Sequence, residues 1–83
     1  MANLLGSRIK EIRETKGIDQ LSLSSAIGCA RPAVSNYESG KRSVPTEKIK
    51  VIAAHLEVDP LDLLELRIKD QISETISTFK RAK

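Results

Sequence analysis

Three glycines divide the central part of this chain into short segments. Gly17, Gly28 and Gly40 each follow a stretch in which apolar residues recur at helical spacing. Glycine adopts the left-handed conformation that ends a helix more readily than any other residue. A single long helix across this region is therefore not expected. The spacing instead predicts two short helices, at about residues 20–27 and 31–38, joined by a tight turn.

Side chains within these segments agree with that division. Asp19 is placed to cap the first short helix, and Leu23 and Ile27 follow at the spacing of a buried face. Pro32 falls in the first turn of the second helix, where its missing N–H has no intrahelical partner. Val34 is expected to face inward, and the residues expected to face outward are Arg31, Ala33 and Asn36. Such a pair is a helix-turn-helix, which places its second helix in the major groove of DNA.

The same segment carries the motif of a known family. The matching positions are Gly17, Gln20, Leu23, Gly28, Val34, Ser35, Tyr37, Glu38, Gly40 and Pro45. Further matches on both sides are Ile9, Lys10, Arg13, Ile49, Ile52, Ala53, Leu56, Val58, Leu63 and Leu64. Together they resemble the phage-repressor-like helix-turn-helix proteins, also called the xenobiotic-response-element or Cro/C1-type family. The resemblance implies an all-α fold, a five-helix lambda-repressor-like DNA-binding domain.

The resemblance also assigns a structural role and shows where this chain departs from the family. It implies that Arg13 and Glu38 form a partly buried ion pair between the first helix and the end of the recognition helix. Ser24 replaces the usual alanine. Ala30 stands where a capping serine is common, and the loss of such a cap typically costs about 1 kcal/mol. Glu57 stands where glycine is common, which predicts a strained turn between the fourth and fifth helices.

Helical patterns continue on both sides of the motif. The first helix is predicted from about Leu4 to Lys16. The fourth is predicted to begin near Thr46 as its N-cap, and the fifth at Asp59 and Pro60, a cap followed by a proline at the first helical position. The residues predicted to be buried in the first and fourth helices are Leu5, Ile9, Ile12, Ile49, Ile52, Ala53 and Leu56.

The fifth helix is predicted to run to about Lys80, beyond the segment that matches the family. Its main apolar stripe is Leu61, Leu64, Ile68, Ile72, Ile76 and Phe79, and Leu63 and Leu66 point to the opposite side. A segment that is apolar on both sides needs a second surface to cover it. We therefore expect a DNA-binding domain at residues 1–66 and a C-terminal helical extension at residues 67–83 that forms a dimer. The predicted dimerisation residues are Leu63, Leu66, Ile68, Ile72, Ile76 and Phe79.

Composition limits the chain to one small domain. Its 83 residues can enclose a single core, and because only 2% of them are aromatic, this core must be aliphatic. The net charge of +3 agrees with binding a polyanion but is too small to establish it. No segment has the length and apolarity of a membrane span, and the N-terminus lacks the apolar core of a signal peptide. We therefore expect a cytoplasmic protein.

Residues that could carry catalytic chemistry are few. Cys29 is the only cysteine, so no internal disulfide is expected, and neither a second cysteine nor a histidine stands at zinc-ligand spacing. His55 is the only histidine, and no serine has a histidine at a plausible relay position. No glycine-rich phosphate loop is present. We therefore expect no enzymatic activity, no metal and no cofactor.

Base recognition is expected from the second short helix of the motif. Arg31 leads this helix and can donate two parallel hydrogen bonds to guanine, or else be solvated or contact a phosphate. Asn36, one turn later, can pair with adenine or hold a phosphate. Pro32 and Ala33 can contact a thymine methyl group, although Pro32 is explained equally well as the start of the helix. The predicted base contacts are thus Arg31, Pro32, Ala33 and Asn36.

Phosphate contacts are expected beside this helix. The resemblance implies that Gln20 binds a phosphate oxygen and braces the recognition helix, aided by the exposed amides at its own helix N-terminus. Lys41, Arg42 and Ser43 follow the helix and either meet the DNA backbone or form a solvated basic loop. Tyr37 is expected to pack near Glu38 and to offer its hydroxyl to a phosphate. The full predicted phosphate set is Gln20, Ser35, Tyr37, Lys41, Arg42 and Ser43.

These features favour a small transcriptional regulator that binds a palindromic operator in double-stranded DNA as a homodimer and acts as a repressor or autoregulator. A controller protein of a restriction-modification system also fits the size. A different class is an antitoxin, whose final helix would cover a protein partner. A third hypothesis places the basic-ended helix on a membrane surface, but Asp70 and Glu74 argue against it because such helices usually carry a cationic polar face.

Overall fold

The computed structural model describes the backbone of residues 3–81 and the side chains of residues 3–72 and 75. Within the described backbone the chain forms helices and connecting turns, with no strand. The helices are α1 (Leu4–Thr15), α2 (Gln20–Ile27), α3 (Arg31–Ser39), α4 (Thr46–Leu56) and α5 (Pro60–Arg81). The predicted all-α, five-helix architecture is therefore confirmed, with α2 and α3 forming the helix-turn-helix.

Local signals set the ends of α2 and α3. The Asp19 carboxylate accepts a hydrogen bond from the Ser22 backbone N–H at 2.7 Å, as expected of an N-cap. Gly28 ends α2 at φ 69° and Gly40 ends α3 at φ 84°, both in the left-handed region. Ala30 occupies the N-cap of α3 and makes no side-chain cap hydrogen bond. These ends follow the expectations from the sequence.

The start of α4 differs from its prediction. Thr46 is the first residue of α4, and Pro45 occupies the N-cap in its place. The Pro45 carbonyl accepts from the Lys48 backbone N–H at 3.0 Å, so the backbone rather than a threonine hydroxyl serves this end. Glu57 ends α4 at φ 58°, a left-handed conformation that is strained for a residue with a Cβ. The strained turn before α5 is therefore confirmed.

One aliphatic core joins the five helices. α1 packs on α3 and α5, α2 packs on α3 and α4, and α4 packs on α5. The buried apolar residues are Leu5, Ile9, Leu23, Ile27, Val34, Tyr37, Val44, Ile49, Ile52, Ala53, Leu56 and Leu63. Ile12, predicted to be buried, is half-buried and packs against this cluster. The recognition helix α3 thus rests on the core through Val34 and Tyr37.

The two sides of α5 are not equivalent, which corrects part of the predicted dimer surface. Leu63 is only 1% exposed and belongs to the core, and Leu66 is half-buried against it. The free apolar surface is instead on the outer side, where Ile68 and Ile72 are 54% and 53% exposed. Leu61, 67% exposed, lies along the same side because steps of seven and four residues return to one face of a helix. Two further predicted dimerisation residues, Ile76 and Phe79, have side chains outside the described residues.

A long-range contact fixes α5 to the N-terminus of α1. The two carboxylate oxygens of Asp70 accept hydrogen bonds from the backbone N–H groups of Leu4 at 2.8 Å and Leu5 at 3.1 Å. These amides have no intrahelical partner, and a negative charge is stabilised at a helix N-terminus. Asp70 therefore caps a helix that precedes it by more than sixty positions.

Within the described residues no helix is both long and apolar enough to cross a membrane.

Candidate nucleic-acid interface

α3 separates a buried side from an exposed side. Val34, Tyr37 and Glu38 face the protein interior. Ala33 and Asn36, expected to be free on the outer face, are half-buried, and Ala33 packs against the core. The exposed positions on this helix are Arg31, Pro32, Ser35 and Ser39. The side chains free to contact a ligand are therefore concentrated at the N-terminal end of α3, with Asn36 beside them.

A buried ion pair holds α3 against α1. The guanidinium of Arg13 donates from Nε to Oε2 of Glu38 at 2.7 Å and from Nη2 to Oε1 at 3.2 Å. Both side chains are largely removed from solvent, with 9% and 3% of the side chain exposed. The hydrogen bonds and charge of Glu38 raise the pKa of Arg13 above its usual value against the opposing effect of burial. Arg13 also donates to the Ile18 carbonyl at 2.8 Å, which ties the α1–α2 turn to the same group.

Gln20 lies between this ion pair and the recognition helix. Its Nε2 donates to Oε1 of Glu38 at 3.0 Å, and its Oε1 accepts from Nε of Arg31 at 3.4 Å. Gln20 and Arg31 also line an open groove of about 540 Å³ together with Arg13, Asp19 and Leu21. The structure therefore brings two predicted site residues together and connects them to the predicted structural pair.

The basic connector after α3 is exposed but anchored. Lys41, Arg42 and Ser43 are all exposed. The backbone N–H of Arg42 donates to the Asn36 carbonyl at 3.2 Å, and Val44 is buried in the core. The connector is thus held beside the C-terminal end of α3, where its cations remain available to an anionic ligand.

Tyr37 differs from the other predicted phosphate contacts. Its side chain belongs to the core, with 5% of the residue exposed. The packing beside Glu38 that the sequence predicted agrees with this burial. The predicted hydrogen bond from its hydroxyl to a phosphate stays a prediction. The remaining members of the predicted phosphate set are exposed or half-buried: Gln20, Ser35, Lys41, Arg42 and Ser43.

Three contacts that position the interface were not predicted from the sequence. Asn3 donates from Nδ2 to the Glu38 carbonyl at 3.0 Å, which joins the start of α1 to the end of α3. Lys48 donates from Nζ to the Ile27 carbonyl at 2.9 Å, and this places a cation at the C-terminus of α2. The third is the Asp70 cap of α1. Each contact joins residues that are distant in sequence. The sequence shows an asparagine, a lysine and an aspartate, but these residue types are common in surface helices and do not reveal their partners.

Comparison with known proteins agrees with this geometry. The family model described as helix-turn-helix matches residues 9–63 of the chain. The chain belongs to the Cro/C1-type helix-turn-helix family. The chain is 34% identical over 61 residues to the antitoxin PezA of Streptococcus pneumoniae. The match covers 74% of this chain but only 39% of PezA.

Solved structures of bacterial regulators share the fold of this protein. The restriction-modification controller protein C.AhdI from Aeromonas hydrophila is 32% identical, with a TM-score of 0.69 and coverage of 75% of this chain and 94% of that one. SinR, a master regulator of biofilm formation solved in complex with DNA, is 30% identical, with a TM-score of 0.65 and coverage of 72% and 97%. The helix-turn-helix described above therefore has the fold of DNA-binding regulators.

Proposed function

We propose that this protein is a sequence-specific transcriptional regulator that binds a two-fold-symmetric operator as a homodimer and has no catalytic activity of its own. Repression by occupying the operator is the simplest outcome. The observation that carries the proposal is the division of α3, whose inner side is fixed on the core while Arg31, Pro32 and Ser35 are exposed. A helix held in this way can enter the major groove without rearrangement of the fold.

Base recognition is assigned to the N-terminal part of α3. Arg31 is exposed and carries the planar donor group that pairs bidentately with guanine. Asn36, half-buried one turn later, is assigned to adenine or to the backbone. Pro32 and Ala33 supply apolar contact with a thymine methyl group. Sequence preference in this proposal rests mainly on Arg31, because it is the exposed charged side chain on this part of α3.

Backbone binding is assigned to groups beside α3. Lys41 and Arg42 are exposed on the anchored connector, and their charges favour a polyanion. Gln20, which starts α2 and lies next to Arg31, is assigned to the backbone as well. Contacts of this kind give salt-dependent affinity and set the register of the protein on the duplex without reading the bases.

The second copy in the proposal is assigned to the exposed side of α5. Ile68 and Ile72 are each more than half exposed, and Leu61 extends the stripe by two turns. Exposed apolar side chains that line one side of a helix favour an interaction site there. A two-fold dimer would place two recognition helices one helical turn of DNA apart, roughly 34 Å.

The first test is selection of bound duplexes from a random DNA pool at near-physiological salt, with Arg31→Ala in parallel. We expect a palindromic consensus that loses definition in the variant at one symmetric pair of positions. Lys50→Ala, which removes an exposed cation from α4, serves as the matched control and should leave the consensus unchanged. Failure to enrich any duplex above a salt-sensitive background would overturn the proposal.

The similarity to PezA and the exposed stripe on α5 favour a second candidate, in which α5 binds a heterologous protein as an antitoxin does. The double substitution Ile68→Glu and Ile72→Glu separates the two candidates. It retains Asp70, which truncation after Leu66 would remove. If α5 forms the homodimer, the variant is monomeric in analytical ultracentrifugation and binds the operator at least tenfold more weakly. If α5 serves another protein, the variant keeps the wild-type mass and operator affinity. Val51→Glu, at an exposed apolar residue of α4, is the control.

A further inference from the structure

We propose that the buried carboxylate of Glu38 is a positioning residue for base recognition, because it fixes the orientation of the Gln20 amide and, through that amide, the guanidinium of Arg31. This inference rests on the proposed function, in which Arg31 reads a base. It assigns to Glu38 a role in sequence preference in addition to its part in the ion pair with Arg13.

The first step is the charge of Glu38. Arg13 donates to both oxygens of its carboxylate, and a guanidinium in a protein stays positively charged. An ionised carboxylate only accepts hydrogen bonds. Glu38 therefore offers acceptors, and no donor, to the side chain that approaches it from α2.

The second step is the polarity of Gln20. A glutamine amide has a donor end and an acceptor end that can exchange places by a half-turn about its last torsion. Oε1 of Glu38 lies 3.0 Å from the donor end of Gln20. The exchanged orientation would bring two oxygens together in a partly buried site, which costs the hydrogen bond and adds repulsion. Glu38 thus turns the acceptor end of Gln20 toward Arg31.

The third step is the direction of Arg31. The acceptor Oε1 of Gln20 lies 3.4 Å from Nε of Arg31. A guanidinium carries five N–H groups in a fixed fork, and engaging the one on Nε leaves the four on the two terminal nitrogens free. These terminal groups can pair with the O6 and N7 atoms of guanine. Because Gln20 presents an acceptor to position 31, only a side chain with a hydrogen-bond donor can bind to it there. The buried carboxylate of Glu38 therefore favours arginine over an acidic residue at position 31.

The size of the expected effect on base discrimination is limited by the contact between Gln20 and Arg31, the longer of the two hydrogen bonds that the Gln20 side chain makes. A separation of 3.4 Å is at the long end for a hydrogen bond, so the Gln20–Arg31 contact contributes no more than an ordinary neutral-acceptor bond. Loss of such a bond corresponds to about 2- to 10-fold in an equilibrium constant. The expected change is therefore in discrimination between bases and is much smaller than the effect of removing Arg31 itself.

The experiment compares Gln20→Met with wild type on two duplexes that differ at the base pair assigned to Arg31 by the selection above. Methionine keeps the length of the side chain and removes both the donor and the acceptor. We expect discrimination at that base pair to fall about 2- to 10-fold, with discrimination at other positions unchanged. In the background of Arg31→Ala, Gln20→Met should cause no further loss at this position. Gln71→Met, at an exposed glutamine of α5, is the matched control.

Glu38→Gln tests the origin of the effect. Its neutral amide can present either a donor or an acceptor, so it no longer selects one orientation of Gln20. We expect the same base pair to lose discrimination in this variant, measured at a temperature where circular dichroism shows it to be folded. If Glu38→Gln does not fold, the Gln20→Met comparison and the spectroscopic measurement below still test the contact between Gln20 and Arg31, without which the proposal fails.

A measurement without DNA separates this inference from the proposed function. The Nε–H resonance of Arg31 in a ¹⁵N-resolved NMR spectrum reports its contact with Gln20 in the free protein. We expect this resonance to shift, and its exchange with water to accelerate, in Gln20→Met but not in Gln71→Met. An unchanged resonance would overturn the inference even if wild type selects no DNA. Equal weakening on every duplex, with unchanged discrimination, would also overturn it and assign Gln20 to phosphate binding alone.

Discussion

The helix-turn-helix and the C-terminal helix are held in place in different ways. α2 and α3 are each ended by a left-handed glycine, and α3 is fixed to α1 by the buried pair of Arg13 and Glu38. α5 enters the core at Leu63, but further along it leaves Ile68 more than half exposed and is fastened to α1 by the exposed carboxylate contact of Asp70. The first region is held by buried polar contacts within the chain, whereas the second leaves two isoleucines of one side more than half exposed.

This difference indicates where each part of the function is specified. In the proposed function α3 must keep one orientation, and buried polar contacts hold it there because breaking them leaves a charge without a partner. The outer stripe of α5 has no such internal constraint, since its contacts would be made by another chain. Substitutions in the first region should therefore change stability most, and those on α5 should change assembly.

The largest effect is expected from Arg13→Ala. The substitution leaves the Glu38 carboxylate buried with only Gln20 as a donor, and loss of one partner of a buried pair costs about 3–5 kcal/mol. The free energy of unfolding in urea measures this loss. Replacing both residues in Arg13→Met with Glu38→Leu should recover much of it, because no charge is then left unpaired. A double variant as unstable as the single one would show that the ion pair is not the main attachment of α3.

Gly6→Ala tests the close approach of α1 to α3. A Cβ at Gly6 would lie 2.9 Å from the carbonyl oxygen of Glu38 and closer still to that of Tyr37. Backbone atoms cannot move aside easily, so α1 and α3 would separate at a cost of about 1–3 kcal/mol. The comparison is with Ala26→Gly, in an exposed part of α2, which should cost about 0.5–1 kcal/mol through helix propensity alone. Thermal unfolding measures the stability of both variants. If Gly6→Ala is as stable as wild type, α1 and α3 can accommodate a methyl group at this position.

Asp70→Ala tests the attachment of α5. The variant loses two charge-assisted hydrogen bonds to the first amides of α1, and we expect about 1–2 kcal/mol of destabilisation, reduced by solvent screening because the site is partly exposed. Amide hydrogen exchange at Leu4 and Leu5 should accelerate in the same variant. Glu65→Gln, an exposed acid on α5, is the control and should change neither. Unchanged exchange in Asp70→Ala would show that α5 is held by its apolar contacts alone.

The smallest effect is expected from Ala30→Ser, which tests the N-terminal end of α3. Ala30 already has the extended backbone of an N-cap, with φ −80° and ψ 153°, but no side-chain acceptor. A serine hydroxyl there should stabilise the protein by about 0.5–1 kcal/mol. Its melting temperature, compared with that of wild type, is the measurement. A melting temperature no higher than that of wild type would exclude capping by the serine hydroxyl.

Much of the fold was predictable because its determinants are local. Helix ends at Gly28 and Gly40 and the cap at Asp19 depend on residues that are neighbours in sequence, and their conformations are set by short-range sterics and hydrogen bonding. The Thr46 cap was predicted by the same logic and was wrong, because Pro45 occupies that position and its backbone suffices. Local rules name suitable residue types, but the backbone decides which residue is used.

The candidate site was predictable only in part. The sequence assigned Arg31 and the basic connector to the surface, and both are exposed. It placed Ala33 and Tyr37 at the interface as well, and packing half-buries the first and buries the second. For α5, helical periodicity identified the apolar residues but not their partners, so Leu63 was predicted in a dimer surface although it lies in the core.

The sequence by itself determined the family, the five helices and the turn that presents Arg31, because short-range preferences and a dense motif specify them. Only the tertiary structure decided which side of α5 is free and how Glu38, Gln20 and Arg31 are connected. It also decided that Asp70 caps a helix at the other end of the chain. These outcomes depend on distances between residues far apart in sequence, and such distances are fixed by the packing of helices around the shared core.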